Sequence, residues 1–265
     1  MERIKLGDGT ALAYRFDGPA DAPVLLLSNS LGTDHAMWDP QIEGLTRHFR
    51  VLRYDQRGHG ASDAPAGAYS MDRMGRDVVD LLDALGIARV QFCGLSLGGM
   101  VGQWLAVHEP ERIRKLILAN TSAYMGPPSG WQSRIEGVLA NGMAPLAQAS
   151  IGRWFTPGFP AEAPEAVERI RQMLLANNPA GYAGCCAAIR DMDQRMTAHL
   201  NRLPTLVIAG AQDLATPVEA SRFLADTAGN ALLHILEPAA HLSNVEQPDG
   251  FLLAMVKFLT PAQIV

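Results

Sequence analysis

Cysteine is scarce in this chain, with three residues among 265. They are Cys93, Cys185 and Cys186, and an odd number that includes two adjacent residues gives no disulfide framework. Together with the seven histidines they form none of the CxxC or HxxxH spacings that are typical of metal sites. We therefore expect all three cysteines to pack in the core, and we expect no metal ion.

Long apolar runs and an excess of positive charge are also missing. The longest aliphatic stretch, at 24–27, is far shorter than the roughly 20 apolar residues that span a membrane as a helix. There are 22 Lys and Arg against 27 Asp and Glu, and the net charge of -5 offers no general attraction for a phosphate backbone. The first residues, MERIKLGDGT, contain no apolar core of a secretory signal. These features predict a cytoplasmic protein that binds neither membrane nor nucleic acid.

The composition is that of a globular protein, with 48% apolar and 18% charged residues. Short apolar runs alternate with helical patterns, which predicts an α/β fold with a mostly parallel central sheet and helices on both faces. The clearest helix covers 71–85, where apolar residues repeat with helical spacing after the N-cap residue Ser70. The predicted strands are 24–27, 51–54, 90–93, 116–119, 206–209 and 232–236.

Residues 124–200 differ from the rest of the chain. They contain no convincing strand, Pro and Gly recur, and several Trp and Phe residues gather there. Ligands of α/β sheets bind outside the carboxyl ends of the strands, where an insertion can cover them. We therefore interpret 124–200 as a helical lid inserted into an α/β core that is formed by 1–123 and 201–265. The predicted lid helices are 131–141, 164–176 and 180–195.

The strongest chemical signal is Gly94-Leu95-Ser96-Leu97-Gly98, which follows a predicted strand and precedes a helical pattern. A strand, a Gly-x-Ser-x-Gly turn and a helix are typical of a nucleophile elbow, in which the glycines permit a turn so tight that the serine hydroxyl is exposed. The alternatives are a glycine-rich turn with an idle serine and a dinucleotide-binding loop. The second fits poorly, because the glycines do not follow the GxGxxG spacing. We predict that Ser96 is a nucleophile.

A serine nucleophile needs a base and a third group that orients the base. His241 lies in a loop after the last predicted strand, and Asp213 lies in the loop after strand 206–209. The chain order Ser96, Asp213, His241 is that of the α/β-hydrolases. Six further histidines compete for the role of the base: His35, His48, His59, His108, His199 and His234.

Local patterns near these residues supply further predictions. The oxyanion donors of such a site are the amide after the nucleophile, here Leu97, and an amide of the loop after strand 24–27, here Leu31.

The sequence Thr216-Pro217-Val218-Glu219 matches a capping box with proline at the first helical position. His59 stands in a glycine-rich segment that we interpret as a structural turn, with a general-acid role as the alternative.

On these residues the chain resembles the α/β-hydrolases over essentially its whole length. More narrowly, it is similar to the 3-oxoadipate enol-lactonases in the segments 28–33, 37–41, 153–157, 184–193 and 241–248. The resemblance implies hydrolysis of 3-oxoadipate enol-lactone to 3-oxoadipate in aromatic catabolism. It also implies an acyl-enzyme on Ser96, and neither a metal nor an organic cofactor.

The lactone that this resemblance implies carries a carboxylate, which is costly to bury without a cationic partner. Arginine suits a planar carboxylate because two of its N–H groups can meet both oxygens. We predict that Arg134 makes this contact. The other candidate arginines are Arg190, Arg153 and Arg195, and Trp131 and Trp154 are predicted as walls of the substrate site.

Other functions are compatible with the same features. A broad carboxylesterase, or a hydrolase of carbon–carbon bonds, would use the same triad. A ligand-binding receptor built on the hydrolase fold is a non-enzymatic alternative, which an incomplete triad would favour. A haloalkane dehalogenase is disfavoured, because that chemistry needs a carboxylate at the position of Ser96.

Overall fold

A computed structural model describes residues 1–260 of the chain. Its centre is one eight-stranded sheet in the order β1-β2-β4-β3-β5-β6-β7-β8. The first two strands are antiparallel to their neighbours, and the other six run parallel to one another. The α/β class with a mostly parallel sheet is therefore confirmed. The strands are β1 (Glu2–Lys5), β2 (Ala11–Asp17), β3 (Val24–Ser28), β4 (Arg50–Tyr54), β5 (Val90–Leu95), β6 (Ile113–Ala119), β7 (Thr205–Gly210) and β8 (Ala231–Leu236).

The predicted strands are all present, and each is longer than its apolar run by one to three residues. The prediction missed β1 and β2. For β1 the reason is its polar sequence, ERIK, which has three exposed residues and contains no apolar run. Every residue of β5 is buried. A strand buried along its whole length must be covered on both faces of the sheet, which explains why this segment is apolar apart from Gln91 rather than alternating.

Eleven α-helices lie within residues 1–260. The predicted helix at 71–85 is confirmed, and the Ser70 hydroxyl oxygen accepts a hydrogen bond from the Arg73 amide at 3.1 Å, as an N-cap should. The helices are α1 (Asp39–Leu45), α2 (Met71–Ala84), α3 (Leu97–His108), α4 (Pro128–Asn141), α5 (Ala144–Trp154), α6 (Phe159–Glu162), α7 (Pro164–Ala176), α8 (Pro179–Asp191), α9 (Val218–Thr227), α10 (Ser243–Glu246) and α11 (Pro248–Leu259).

Five of these helices, α4 to α8, lie between β6 and β7 in the predicted insertion. The three predicted lid helices correspond to α4, α7 and α8, whereas α5 and α6 were not predicted. The last one ends at Asp191 rather than at 195, because Asp193 forms a β-bridge with Tyr124. This bridge joins the two ends of the insertion. The predicted second core segment, 201–265, includes 261–265, which lie outside the described residues.

The three cysteines are buried and free, which confirms that they pack in the core. Burial raises the pKa of the Cys186 thiol to about 12, so this group is neutral near pH 7. Within residues 1–260, no helix is both long and apolar enough to cross a membrane.

Candidate active site

Ser96 stands between β5 and α3 with φ 56° and ψ -114°, a backbone conformation that residues other than glycine rarely adopt. The two glycines of the motif make this turn possible. A Cβ atom at Gly94 would lie 2.1 Å from the Gly98 carbonyl oxygen, and one at Gly98 would lie 2.2 Å from the Ser28 carbonyl oxygen. The tight packing therefore requires glycine at both positions, and it holds the serine in a strained conformation of the kind that clusters at functional sites.

His241 and Asp213 form a buried pair. His241 Nδ1 lies 2.9 Å from Asp213 Oδ2. Burial by itself raises the pKa of Asp213, but the charge and hydrogen bond of His241, together with the Thr216 amide and hydroxyl, outweigh it and lower that pKa to about 2. The carboxylate is therefore ionised at neutral pH and can only accept hydrogen bonds. It fixes the tautomer in which Nδ1 carries the proton and Nε2 is the free base.

Ser96 and His241 both line one cavity of about 400 Å³. The Ser96 hydroxyl makes no hydrogen bond within residues 1–260, so its oxygen is available to a ligand. Hydrogen bonds between a nucleophile and its base are often long in unliganded enzymes and shorten when substrate binds. The other residues that line this cavity include Leu31, Trp131, Arg134, Arg153, Trp154, Tyr182 and Leu214.

The Leu31 and Leu97 amides are suited to receive a negative oxygen. Neither has an acceptor within the described part of the chain, although the amides beside them are engaged. Gly98 N donates to the Asn29 carbonyl at 3.0 Å, and Gly32 N donates to His59 Nε2 at 2.8 Å. The Leu97 amide is also the first of α3, and the positive end of a helix dipole favours an anion.

A model of the α/β-hydrolase fold matches residues 23–248. The chain belongs to the α/β-hydrolase family. The family resemblance found in the sequence is thereby confirmed.

Individual α/β-hydrolases are similar along nearly the whole chain. The protein named 3-oxoadipate enol-lactonase 2 of Acinetobacter baylyi is 47% identical over 241 residues, which cover 91% of this chain and 90% of that protein. The solved enol-lactonase of Burkholderia xenovorans is 43% identical, with a TM-score of 0.96 over 98% of this chain and 100% of that chain. A solved hydrolase of Pseudomonas aeruginosa is 51% identical, with a TM-score of 0.95 over 98% of each chain.

Thr216 holds Asp213 in place, and sequence reasoning assigned it a different role. The predicted capping box is wrong: α9 begins at Val218, and no side chain caps it. The Thr216 hydroxyl instead donates to Asp213 Oδ2 at 2.7 Å, and the Thr216 amide donates to Oδ1 at 2.9 Å. The physical reason is that a hydrogen bond to an ionised carboxylate is stronger than one to a neutral acceptor.

Asn120 is a second supporting residue that the sequence analysis missed. It follows β6 directly and has φ 44°, in the left-handed region. Its Nδ2 donates to Asp213 Oδ2 at 3.0 Å and to the Ala240 carbonyl at 3.1 Å, while its Oδ1 accepts from the Ser243 hydroxyl at 2.5 Å. One side chain thus ties the Asp213 carboxylate to the residue before His241. Its position at the carboxyl end of a central strand is the sequence feature that could have identified it as a site residue.

His59 contacts the loop after β3, which contains Leu31 and Gly32, and does not line the cavity. Burial is the main reason that its pKa falls to about 4, so the ring is neutral near pH 7. Nε2 accepts from Gly32 N, and Nδ1 faces the Arg57 carbonyl at 3.3 Å. A structural role for His59 in holding this loop explains the contacts, whereas a general-acid role does not.

The four candidate arginines separate into two pairs. Arg134 and Arg153 line the cavity, and neither forms an ion pair within residues 1–260. Burial, followed by the positive charge of Arg134, lowers the pKa of Arg153. Arg190 was also predicted as a substrate contact, but it does not line the cavity. Its guanidinium instead donates to the Asp191 carboxylate at 2.7 Å. Arg195 is paired with Asp193 in the same way.

Outside the cavity, Asp34, His35 and Asp55 have side-chain atoms within 4.8 Å of one another, as metal ligands can. The Asp55 carboxylate is already engaged, because Oδ1 accepts from His35 N at 2.8 Å and Oδ2 accepts from Ala61 N at 2.9 Å. These bonds fix the loops beside the sheet. We assign this cluster a structural role.

Proposed function

We propose that this protein hydrolyses 3-oxoadipate enol-lactone to 3-oxoadipate through an acyl-enzyme on Ser96. The observation that carries the proposal is that Ser96, His241 and two arginines that form no ion pair within residues 1–260 line the same cavity. The activity named for its relatives supports the choice of substrate. The reaction needs a nucleophile, a base, oxyanion donors and a cation for the substrate carboxylate, and the cavity offers a residue for each.

In the first step, Ser96 Oγ bonds to the lactone carbonyl carbon while His241 Nε2 takes the hydroxyl proton. The Asp213 carboxylate accepts a hydrogen bond from the Nδ1–H group of the ring and stabilises the imidazolium that forms. The carbonyl oxygen becomes negative, and the amides of Leu31 and Leu97 receive it. Donors that are already oriented toward that oxygen stabilise the transition state without further reorganisation.

The tetrahedral intermediate collapses when the ring carbon–oxygen bond breaks. The ring oxygen leaves as an enol, protonated by His241, and the enol tautomerises to the ketone. An enolate is a weaker base than an ordinary alkoxide, so this bond breaks more easily than that of a saturated lactone. His241 then takes a proton from water, the hydroxide attacks the acyl carbon, and Ser96 leaves with the proton returned to Oγ.

Arg134 and Arg153 are proposed to bind the carboxylate that the lactone already carries. Their charges are close enough for Arg134 to lower the pKa of Arg153, so an anion between them relieves repulsion as well as forming hydrogen bonds. Trp131 and Trp154 are proposed as the apolar walls, and the Arg134 guanidinium lies 4.8 Å from the centre of the Trp131 ring.

The helical insertion is proposed to act as the lid of this site. Its helices supply both arginines and both tryptophans of the cavity, whereas the core supplies Ser96, Asp213 and His241. We therefore retain the division into a core of 1–123 and 201–265 and a lid of 124–200. The three free cysteines support our further proposal of a cytoplasmic, reducing location.

A broad carboxylesterase is the second candidate, because apolar residues such as Met100, Met125 and Leu214 also line the cavity and would accept a neutral ester. The deciding experiment measures the loss of enol-lactone ultraviolet absorbance against the hydrolysis of p-nitrophenyl acetate by the purified protein. We expect a far higher kcat/KM for the lactone. The reverse order would favour the esterase.

Two controls complete this test. Ser96→Ala should remove both activities while the circular dichroism spectrum stays unchanged. A serine-directed phosphonate should give one adduct on Ser96. A folded protein that takes up no phosphonate would favour the ligand-binding receptor instead.

A further inference from the structure

Glu246 is a buried carboxylate at the end of α10, five positions after His241 in the chain. Its two oxygens bind different parts of the molecule. Oε1 accepts from the Thr156 amide at 2.9 Å and from the Thr156 hydroxyl, and Thr156 belongs to the helical insertion. Oε2 accepts from the Ala240 amide at 2.7 Å. One side chain therefore joins the insertion to the residue that precedes His241.

The residue after His241 is held by the same part of the insertion. The Leu242 amide donates to the Trp154 carbonyl at 3.0 Å. His241 is thus flanked by two residues, Ala240 and Leu242, that are both connected to the C-terminal end of α5. That end also carries Arg153 and Trp154, which line the cavity with Ser96.

The chemistry of these contacts requires a carboxylate. The amides of Thr156 and Ala240 are obligate donors, so each end of the side chain between them must be an acceptor. Glutamine offers an acceptor at one end only, and either orientation places its NH2 group against a backbone N–H. Aspartate is shorter by one methylene. Glu246 has no cationic partner within 4.0 Å among residues 1–260, so these three hydrogen bonds are what compensate its buried charge.

We propose that Glu246 is a positioning residue that fixes His241 to the substrate-lining end of the lid. A displacement of residues 153–156 then displaces the base relative to Ser96, so the lid contributes to catalysis through the backbone of the His241 loop as well as through its own side chains. The proposal rests on the role of His241 as base in the proposed function, but it does not depend on which ester or lactone is the substrate.

The test compares Glu246→Gln with Glu165→Gln, which removes an exposed carboxylate from α7 of the same insertion. The main readout is the second-order rate at which a small neutral phosphonate labels Ser96, since labelling needs the serine and its base but no lid arginine. We expect Glu246→Gln to slow labelling about 10- to 100-fold, as a misplacement of about 1 Å can do. The kcat for the lactone should fall by the same factor with little change in KM, and Glu165→Gln should match the wild type.

A second pair of variants keeps the test decisive if Glu246→Gln does not fold. Thr156→Val removes the hydroxyl donor but keeps the amide, and Thr156→Ser restores the hydroxyl. We expect a smaller loss of labelling rate in the valine variant and recovery in the serine variant. Wild-type labelling rates in Glu246→Gln with only a lower melting temperature, or in Thr156→Val when Glu246→Gln is unfolded, would overturn the proposal.

The substrate assignment can fail separately. If the wild type is labelled but does not hydrolyse the lactone, and Glu246→Gln is labelled slowly, the positioning role stands and only the proposed substrate is wrong.

Discussion

Asn120 Nδ2 lies 3.0 Å from Asp213 Oδ2, and the same amide group reaches the Ala240 carbonyl at 3.1 Å. The Asp213 carboxylate and the loop of His241, which come from different parts of the chain, therefore meet on one residue after β6. This arrangement shows how the core contributes to the geometry of the pair, beside the contacts that join the His241 loop to the lid. It also indicates which side chain outside the triad should matter to its alignment.

Asn120→Ala should lower kcat about tenfold and the free energy of unfolding by about 1–3 kcal/mol, because three buried hydrogen bonds are lost and their partners are left unsatisfied. The expected KM is close to that of the wild type, since Asn120 does not line the cavity. Steady-state kinetics and urea denaturation measure the two effects. Unchanged kcat would show that the amide of Ala215 and the amide and hydroxyl of Thr216 suffice to hold Asp213.

The strain at Ser96 predicts a gain in stability when function is removed. Glycine adopts φ 56° without the steric cost that serine incurs. Ser96→Gly should therefore be more stable than Ser96→Ala by about 1 kcal/mol, although both are inactive. The two variants differ by one methyl group, and the serine hydroxyl has no partner within residues 1–260 to lose. Urea denaturation of both decides the matter, and equal stabilities would show that the elbow stores no strain.

His59 predicts a specific pH dependence of stability. Its pKa falls from 6.5 to about 4 on folding, so between these values the unfolded chain binds more protons than the folded one. Stability from the neutral ring is complete above pH 6.5 and is lost progressively as the pH falls to about 4, by about 3 kcal/mol in total. Urea denaturation at several pH values should show a flatter profile in His59→Gln. A profile identical to that of the wild type would assign the decline to other groups.

The two cavity arginines should determine the preference for a carboxylate-bearing substrate. Replacing Arg134 or Arg153 by glutamine should lower kcat/KM for the lactone about 10- to 100-fold, which is the rate equivalent of a lost hydrogen bond to a charged group. Turnover of p-nitrophenyl acetate should change less than about threefold, because this ester has no anion to bind. Arg190→Gln is the matched control, since Arg190 is paired with Asp191 outside the cavity. Equal losses for both substrates would contradict a carboxylate site.

The central strands and the positions of Ser96, Asp213 and His241 at the ends of strands were predictable because each depends on a local pattern. The apolar run of β5 and the glycines around Ser96 reflect constraints that act within a few residues. The placement of Asp213 and His241 follows from where two neighbouring strands end. Parallel strands bring their carboxyl ends to one edge, so residues far apart in sequence become neighbours without any signal beyond the strands themselves.

The supporting contacts were not predictable, because they join segments whose relative position the local sequence does not encode. Thr216 has the sequence environment of a helix cap, and only the buried charge of Asp213 redirects its hydroxyl. Arg153 and Arg190 both lie in the helical insertion, and only the folded arrangement of its helices decides that Arg153 lines the cavity and Arg190 does not. The contact between Glu246 and Thr156 spans 90 positions and has no pattern of its own.

The β-bridge between Tyr124 and Asp193 brings the chain back to almost the point at which it left the sheet. A chain segment inserted between two such points can vary in length without altering the register of β6 against β7. In the proposed function, substrate range would therefore depend mainly on the inserted segment and acyl chemistry mainly on the core. Exchange of the intervening stretch alone would supply a new pocket to an intact catalytic centre, provided that the new stretch also offers partners to Glu246 and Leu242.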